Sequence, residues 1–289
     1  MNQLSIEPLH PDFGARVSGV NLTGPLSSDD IENIREAIDT YSLLCFPNQD
    51  MNDEHHMAFT RLLSEPEAEH VTFGKTGVVK YFGTVGNVQP DGTKQVNADT
   101  GTKYQKGNQL WHSDSSFREV PSRESILHAY EVPDGEGDTE FVSMRSAYAR
   151  LPEDMARQID PLGVVHDYVF SRAPVAPVDP NHAANMPPVN HRLVRANPRN
   201  GLKNFYVGSH ARSIAGWSGI ESRRLLDDLL ARATRPEDVY SHRWSMGDTV
   251  VWDNRCMLHR GTGYDADRWR RNLRQTRVVG DEKGIIPLS

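Results

Sequence analysis

The chain of 289 residues carries a formal net charge of −7, with 37% hydrophobic and 25% charged residues, a composition that suits a soluble globular protein with one substantial core. No stretch approaches the roughly 18 consecutive apolar residues of a membrane span, and the opening Met-Asn-Gln-Leu-Ser-Ile has neither the basic nor the apolar segment of a secretory signal. The acidic balance argues against general nucleic-acid affinity despite the basic stretch from Arg268 to Arg277. The cytosol is the default location, and Cys45 and Cys256, far apart in apolar contexts, read as buried free thiols.

In chain order, Gly14, Gly19, Gly24 and Pro25 punctuate short apolar runs, which predicts strands and turns. Ser28 caps a helix in which Ile31, Ile34 and Ile38 share a buried face. Tyr41 to Phe46 reads as a buried strand stopped by Pro47, and Asp53 to Leu63 as a helix packing through Met57, Phe59 and Leu62. From Thr72 to Lys106 the chain is rich in Gly, Thr, Asn and Lys; apart from a strand at Val78 to Phe82, the region around 65–107 reads as a long lid or binding loop, because loops of that length in compact domains are often functional. Strands are predicted at Ser125 to Val132 and Asp138 to Ser143, and helices at Met144 to Arg150 and Pro152 to Ile159. Further strands follow at Gly163 to Phe170, Arg192 to Ala196, Asn204 to Val207, Val239 to Trp244, Thr249 to Trp252 and Arg274 to Val279. Gly219 to Ala233 is an amphipathic helix using Ile220, Leu225, Leu226, Leu229 and Leu230. Many short strands with a few helical inserts predict a mostly β fold, a double-sheet jelly roll with buttressing helices, forming a single domain over 1–289.

The chemistry concentrates in Trp111-His112-Ser113-Asp114-Ser115-Ser116-Phe117 and in Trp252-Asp253-Asn254-Arg255-Cys256-Met257-Leu258-His259. A lone His-x-Asp arises often by chance; a distant histidine followed by Arg268, Arg270 and Arg271 changes its meaning. Two imidazoles and one carboxylate can take one face of an octahedral iron(II), leaving three positions for a chelating co-substrate and O2. His112 and Asp114, two apart on a strand, would face the same way, and His259 must come from another strand or its end. A zinc hydrolase also suits two histidines and an acid, but leaves the arginines and the lack of an obvious general base unexplained.

The segments Asn108-Gln-Leu-Trp-His-Ser-Asp-Ser-Ser-Phe117, Gly137-Asp-Thr-Glu-Phe141, Met186-Pro-Pro-Val-Asn190 and Val251-Trp-Asp-Asn-Arg-Cys-Met-Leu-His-Arg-Gly261 resemble the iron(II)/2-oxoglutarate-dependent dioxygenases of the taurine dioxygenase and 2,4-dichlorophenoxyacetate dioxygenase family. The resemblance implies the jelly roll, Fe(II) held by His112, Asp114 and His259, and 2-oxoglutarate and O2 as co-substrates. It also implies oxidation of a C–H bond in a small organic acid or amino-acid-like molecule, with release of succinate and CO2. Ether cleavage of an aryloxyalkanoate is the alternative outcome, and a jelly-roll sensor that binds without turnover the alternative of another class. The protein is read as acting on a small molecule, with no nucleic-acid or membrane partner; a homo-oligomer stays open.

The far carboxylate of 2-oxoglutarate needs a planar bidentate cation. Motif register favours Arg271, with Arg270 next, and the resemblance places Thr139 beside it. Asn108 matches a pocket-lining position, whereas His70, His210 and Arg212 are weaker substrate candidates. Relatives acting on sulfonates or aryloxyacetates place a second arginine four residues after the first. Counted from Arg271 that position is Gln275, which carries no charge; counted from Arg270 it is Arg274. With Gln275 there, weak activity on taurine and aryloxyacetates is expected, with the substrate acid bound elsewhere, such as at Arg212, or forming part of an amino acid.

Overall fold

The computed structural model describes residues 4–69, 81–89, 91–99, 101–102, 106–175 and 178–280. Its main sheet has seven strands in the order Ser5–Pro8, Ala15–Ser18, Leu43–Phe46, Thr249–Asp253, Ser122–Glu131, Asn272–Val279 and Gly83–Gly86. Pairing is antiparallel except between Ala15–Ser18 and Leu43–Phe46. A second sheet of Tyr240–His242, Thr139–Ser143 and Met257–Gly261 faces it, with Phe141 meeting Trp252 edge-on at 5.5 Å between ring centroids. Two smaller ribbons, one of Ala211–Ile214, Gly163–His166 and Val189–Arg192 and one of Val194–Ala196 and Lys203–Phe205, extend this side. The fold is mostly β with helical inserts, a jelly roll with helices against its outer faces.

The two-residue side-chain period of a strand builds both faces of the main sheet. Leu43, Cys45, Leu127, Val250, Trp252 and Leu273 point inward against Phe141 and Met257. Leu44, Phe46, Ile126 and Val251 point outward, under the helices Ser28–Tyr41 and Asp53–Leu63. A third cluster joins the helices Gly219–Ala233 and Met144–Ala149 to Val142, Val164, Ile214 and Leu258. Cys45 and Cys256 are buried and free, and no helix among the described residues is long and apolar enough to cross a membrane.

Several expectations are corrected at the level of side-chain placement. The first helix is capped by Ser27, not Ser28: the Ser27 hydroxyl accepts from the backbone of Asp30 while the Asp30 carboxylate accepts from Ser27, a reciprocal capping box. In the second helix Leu62 is exposed, and the inward face carries His56, Phe59, Thr60 and Leu63. His56 and Thr60 are buried because Thr276 of the main sheet hydrogen-bonds both, at 3.0 and 2.7 Å. Ile220 is 73% exposed, while Ser222 is buried so that its hydroxyl can accept from the Ile214 backbone at 3.0 Å. The strand expected over Gly163 to Phe170 stops at His166, where Asp167 caps a short helix, Tyr168–Arg172. Met186 to Asn190, quoted above for its motif, contributes its last two residues to the strand Val189–Arg192.

Part of the predicted long loop is ordered into an edge strand. Val78 to Lys80 lie outside the described residues, and the strand runs over Gly83–Gly86 beside the last strand. Gly86 has φ +148°, and a Cβ there would fall 1.9 Å from the carbonyl oxygen of Arg271. That close approach requires glycine.

Candidate metal centre and its cavity

His112 and His259 are held together by backbone before any metal is considered. Each donates its N–H to the other's carbonyl, at 3.0 and 2.9 Å, in an isolated antiparallel bridge. The expected same-face strand geometry of His112 and Asp114 is not what joins them: His112 occupies that single bridge, and Asp114 opens a turn in which Ser115 has φ 54°. The turn delivers the carboxylate instead. Ligand atoms of His112, Asp114 and His259 all lie within 4.8 Å of one another, with Asp114 oxygens 3.9 Å from His112 Nε2 and 3.8 Å from His259 Nε2.

A buried asparagine absent from the sequence-based candidates fixes the turn. Asn254 Oδ1 accepts from the Asp114 backbone at 3.1 Å and from Trp252 Nε1 at 3.0 Å, its Nδ2 donates to Ser125 Oγ, and its carbonyl accepts from Ser113 Oγ. Ser125 Oγ then donates to Asp114 Oδ2 at 2.7 Å, as does Gln275 Nε2 at the same distance. The motif Trp-Asp-Asn could not disclose this, because an asparagine two residues past a buried tryptophan reads as an ordinary turn residue. Replacing Asn254 with alanine is expected to weaken divalent-metal binding about 10- to 100-fold, the range for loss of a partner behind a metal ligand. Metal titration followed by equilibrium dialysis checks it, and unchanged affinity would remove Asn254 from this role.

The protonation states suit a cation site. Burial lowers His112, and lowers His259 to about 3, so both imidazoles are neutral near pH 7. Leu110 O lies 2.7 Å from His112 Nδ1, which places the proton there and leaves Nε2 as a donor atom toward a metal. Burial pushes the Asp114 carboxyl up, but the fields of His259, Arg277 and His112 and the Ser125 hydrogen bond hold it below the usual carboxylate range. With the imidazoles neutral, the persistent counter-charge is Arg277. That guanidinium bonds Glu67, Glu69 and the Gln275 side-chain oxygen, so two carboxylates orient the arginine that orients the amide on Asp114.

These groups open on a cavity of about 450 Å³. Arg271 lines it and is buried; its Nη1 donates to Val85 O at 3.1 Å and its Nη2 to Gly137 O at 3.0 Å, while Nε is buried with no hydrogen-bond partner among the described residues. Burial brings the Arg271 guanidinium down to about 10, so it stays charged. Thr139 also lines the cavity, and its Oγ1 accepts from Trp244 Nε1 at 2.9 Å, which leaves the hydroxyl hydrogen to donate elsewhere. Asn108, His210 and Gln275 also line the cavity; His210 stands 6.3 Å from the His112 ring, with Ser116 Oγ on its Nδ1 at 3.1 Å. Phe82, Val85, Gln95 and Thr102, from the predicted loop, face the cavity too.

Other candidates are not brought to the site. Arg270, two residues before the strand Asn272–Val279, is exposed and doubly bonded to Glu131, whereas its neighbour Arg271 is buried on the cavity. Arg274 faces the other side of the sheet, ion-paired with Asp53 and stacked over Tyr130. Arg212 is half exposed and pairs with Asp167 at 3.0 Å. None of the three lines the cavity. His70 lies outside the described residues. Glu69, Arg172 and Arg277 line the cavity and were not among the sequence candidates; Glu69 and Arg277 meet across 208 residues with no local motif. A second buried group, Cys45, His242 and Asp248, also clusters within 4.8 Å but lies away from the cavity wall. Burial first, then Asp248, pushes the Cys45 thiol up to about 12, and the 3.2 Å contact between His242 and Asp248 pairs the other two.

A double-sheet jelly roll holding two neutral imidazoles and an ionised carboxylate beneath a cation-lined cavity defines a metal-dependent oxygenase site more readily than a hydrolytic one. Residues 5–277 match the taurine catabolism dioxygenase TauD, TfdA family, and the chain belongs to it. It is 38% identical over 279 residues to the alpha-ketoglutarate-dependent 2,4-dichlorophenoxyacetate dioxygenase of Cupriavidus pinatubonensis, covering 95% of this chain and 97% of the relative. It is 34% identical to the (S)-phenoxypropionate/alpha-ketoglutarate-dioxygenase of Sphingobium herbicidovorans, covering 96% and 95%. Among solved structures, AAD-2 in complex with Mn(II) and N-oxalylglycine superposes with a TM-score of 0.90 at 35% identity, covering 99% of this chain and 100% of that one. The protein is accordingly an alpha-ketoglutarate-dependent dioxygenase.

Proposed function

We propose that the protein is an iron(II) enzyme that couples oxidative decarboxylation of 2-oxoglutarate to oxidation of a C–H bond in a small organic acid, releasing succinate and CO2. The observation that carries the reading is the convergence of His112, Asp114 and His259 within 4.8 Å on the cavity that Arg271 enters. Iron(II), when bound, supplies the redox chemistry that activates O2. The chain's part is positional. His112 and His259 offer neutral nitrogens, Asp114 offers the one negative charge, and Gln275 and Ser125 restrict how its oxygens turn. Arg271 and Thr139 receive the distal carboxylate of 2-oxoglutarate, the first through its buried guanidinium and the second through the hydroxyl hydrogen that Trp244 leaves unused. Phe82, Phe117, Leu127 and Trp252 give the cavity apolar wall, which limits water around the reacting carbon.

Anaerobic addition of iron(II) and then 2-oxoglutarate is expected to produce a visible charge-transfer band, and air to release succinate. A band with no succinate, under any substrate tried, would favour a binding protein instead; no band would sink the chelation scheme.

A second reading, ether cleavage of an aryloxyalkanoate, is favoured by the named activities of the relatives at 38% and 34% identity. Gln275 opposes it, since the side chain is neutral and already committed to Asp114 and Arg277. Taurine and phenoxyacetate are therefore expected to stimulate succinate release weakly beside a panel of aliphatic amino acids. Efficient phenoxyacetate cleavage by the unaltered protein would reverse the order of the two readings.

A further inference from the structure

Four cationic side chains line the described cavity: Lys106, Arg172, Arg271 and Arg277. Arg271 belongs to 2-oxoglutarate in the reading above, and Arg277 spends its guanidinium on Glu67, Glu69 and Gln275. Lys106 is exposed and presents a hydrated point charge. Arg172 differs in kind. It closes the short helix Tyr168–Arg172, whose start is fixed by the Asp167 cap, itself paired with Arg212. Its guanidinium lies over the Tyr168 ring at 5.5 Å, and Tyr168 packs at 4.7 Å on Phe117, an apolar wall of the cavity. A planar cation beside aromatic surface is what an acid group on an apolar body requires.

The backbone makes room for this guanidinium. A Cβ on Gly107 would stand 1.9 Å from Arg172 Nη1, and Gly107 has no left-handed φ that would otherwise call for glycine. Gly107 lies just ahead of the metal motif, so the cation is seated against the approach to His112.

We propose that Arg172 receives the anionic group of the organic substrate, a contact that the neutral Gln275 cannot make. The inference rests on the oxygenase reading.

The test uses the iron(II)-loaded enzyme with 2-oxoglutarate and a panel of straight-chain, aryl and aryloxy carboxylates and aliphatic amino acids, each beside its primary amide. Straight-chain acids and aliphatic amino acids are expected to stimulate succinate release, aryloxyacetates to do so weakly, and amides to fail. For the best acid, Arg172→Gln is expected to raise KM at least about tenfold, an effect falling on the acid and not on 2-oxoglutarate, the reverse of Arg271→Ala. Arg172→Lys should recover part of the loss. Gly107→Ala displaces only the far end of a flexible side chain, so it should fold and move the acid KM in the same direction. Equilibrium binding of the acid to the anaerobic enzyme should follow KM. An acid KM indifferent to Arg172→Gln, equal stimulation by acid and amide, or a loss appearing with Lys106→Met instead would overturn the proposal while leaving the oxygenase reading standing. No succinate from the unaltered enzyme under any condition would sink that reading and this one together.

Discussion

Asp114→Ala is expected to abolish turnover and to weaken iron(II) binding by more than the roughly 100-fold that marks loss of a partner behind a ligand. The carboxylate is the one anionic donor of the three-residue cluster, and removing it leaves two neutral imidazoles with little hold on a hard dication. The substitution also strands Gln275 Nε2 and Ser125 Oγ, both of which donate to Asp114 Oδ2. Each stranded donor costs on the order of 1 to 3 kcal/mol if it finds no water, so far-UV circular dichroism and thermal melting must accompany the metal titration. Loss of metal binding with a retained fold supports the assignment; full turnover with added iron(II) would end it. Zinc or cobalt should compete with iron in the unaltered protein, since donor set and affinity order do not exclude them, and chelation should abolish activity until iron(II) is restored.

Arg271→Ala is expected to raise the 2-oxoglutarate KM on the order of 30-fold or more, because truncating one partner of a buried, charge-assisted pair costs roughly 2 to 5 kcal/mol and each 1.4 kcal/mol is tenfold. Thr139→Ala should raise it by about two- to tenfold, through one neutral hydrogen bond of about 0.5 to 1.5 kcal/mol. Arg270→Ala should leave it unchanged, since that side chain is exposed on Glu131. The ordering is the discriminating result. Equal small effects at Arg271 and Thr139 would mean that the distal carboxylate is held elsewhere. Gly86 supplies an independent check: its alanine variant drives a methyl into the Arg271 carbonyl, so Arg271 should shift, and 2-oxoglutarate binding should weaken with no change in the cavity's side chains.

Local chemistry was legible where one segment carries its own meaning. The His-x-Asp motif, the distant histidine and the arginine after it could be assigned roles from donor type and order alone, and strand and helix periods located the larger elements. The cap at Ser27 was one residue off because Ser27 and Ser28 are equivalent until the Asp30 carboxylate closes the box. The second helix was misread by apolar period because burial of His56 and Thr60 depends on Thr276, far away in the chain. His112 and Asp114 do meet, but through a bridge and a turn and not through strand alternation.

The amino-acid sequence by itself supplied the candidate donors, through residue type and order, and the mostly β pattern, through periodicities that survive without knowledge of contacts; the family showed through the resemblance of its motif segments. Only the tertiary structure turned Arg271 into the cavity and Arg270 out to Glu131, sent Arg274 to Asp53 and Arg212 to Asp167, and brought Asn254 behind Asp114 and Arg277 and Arg172 to the cavity wall. Which way a charged side chain turns is set by the carboxylates and backbone oxygens that folding brings within about 3 Å, and charge-assisted bonds of that length have no signature along the chain.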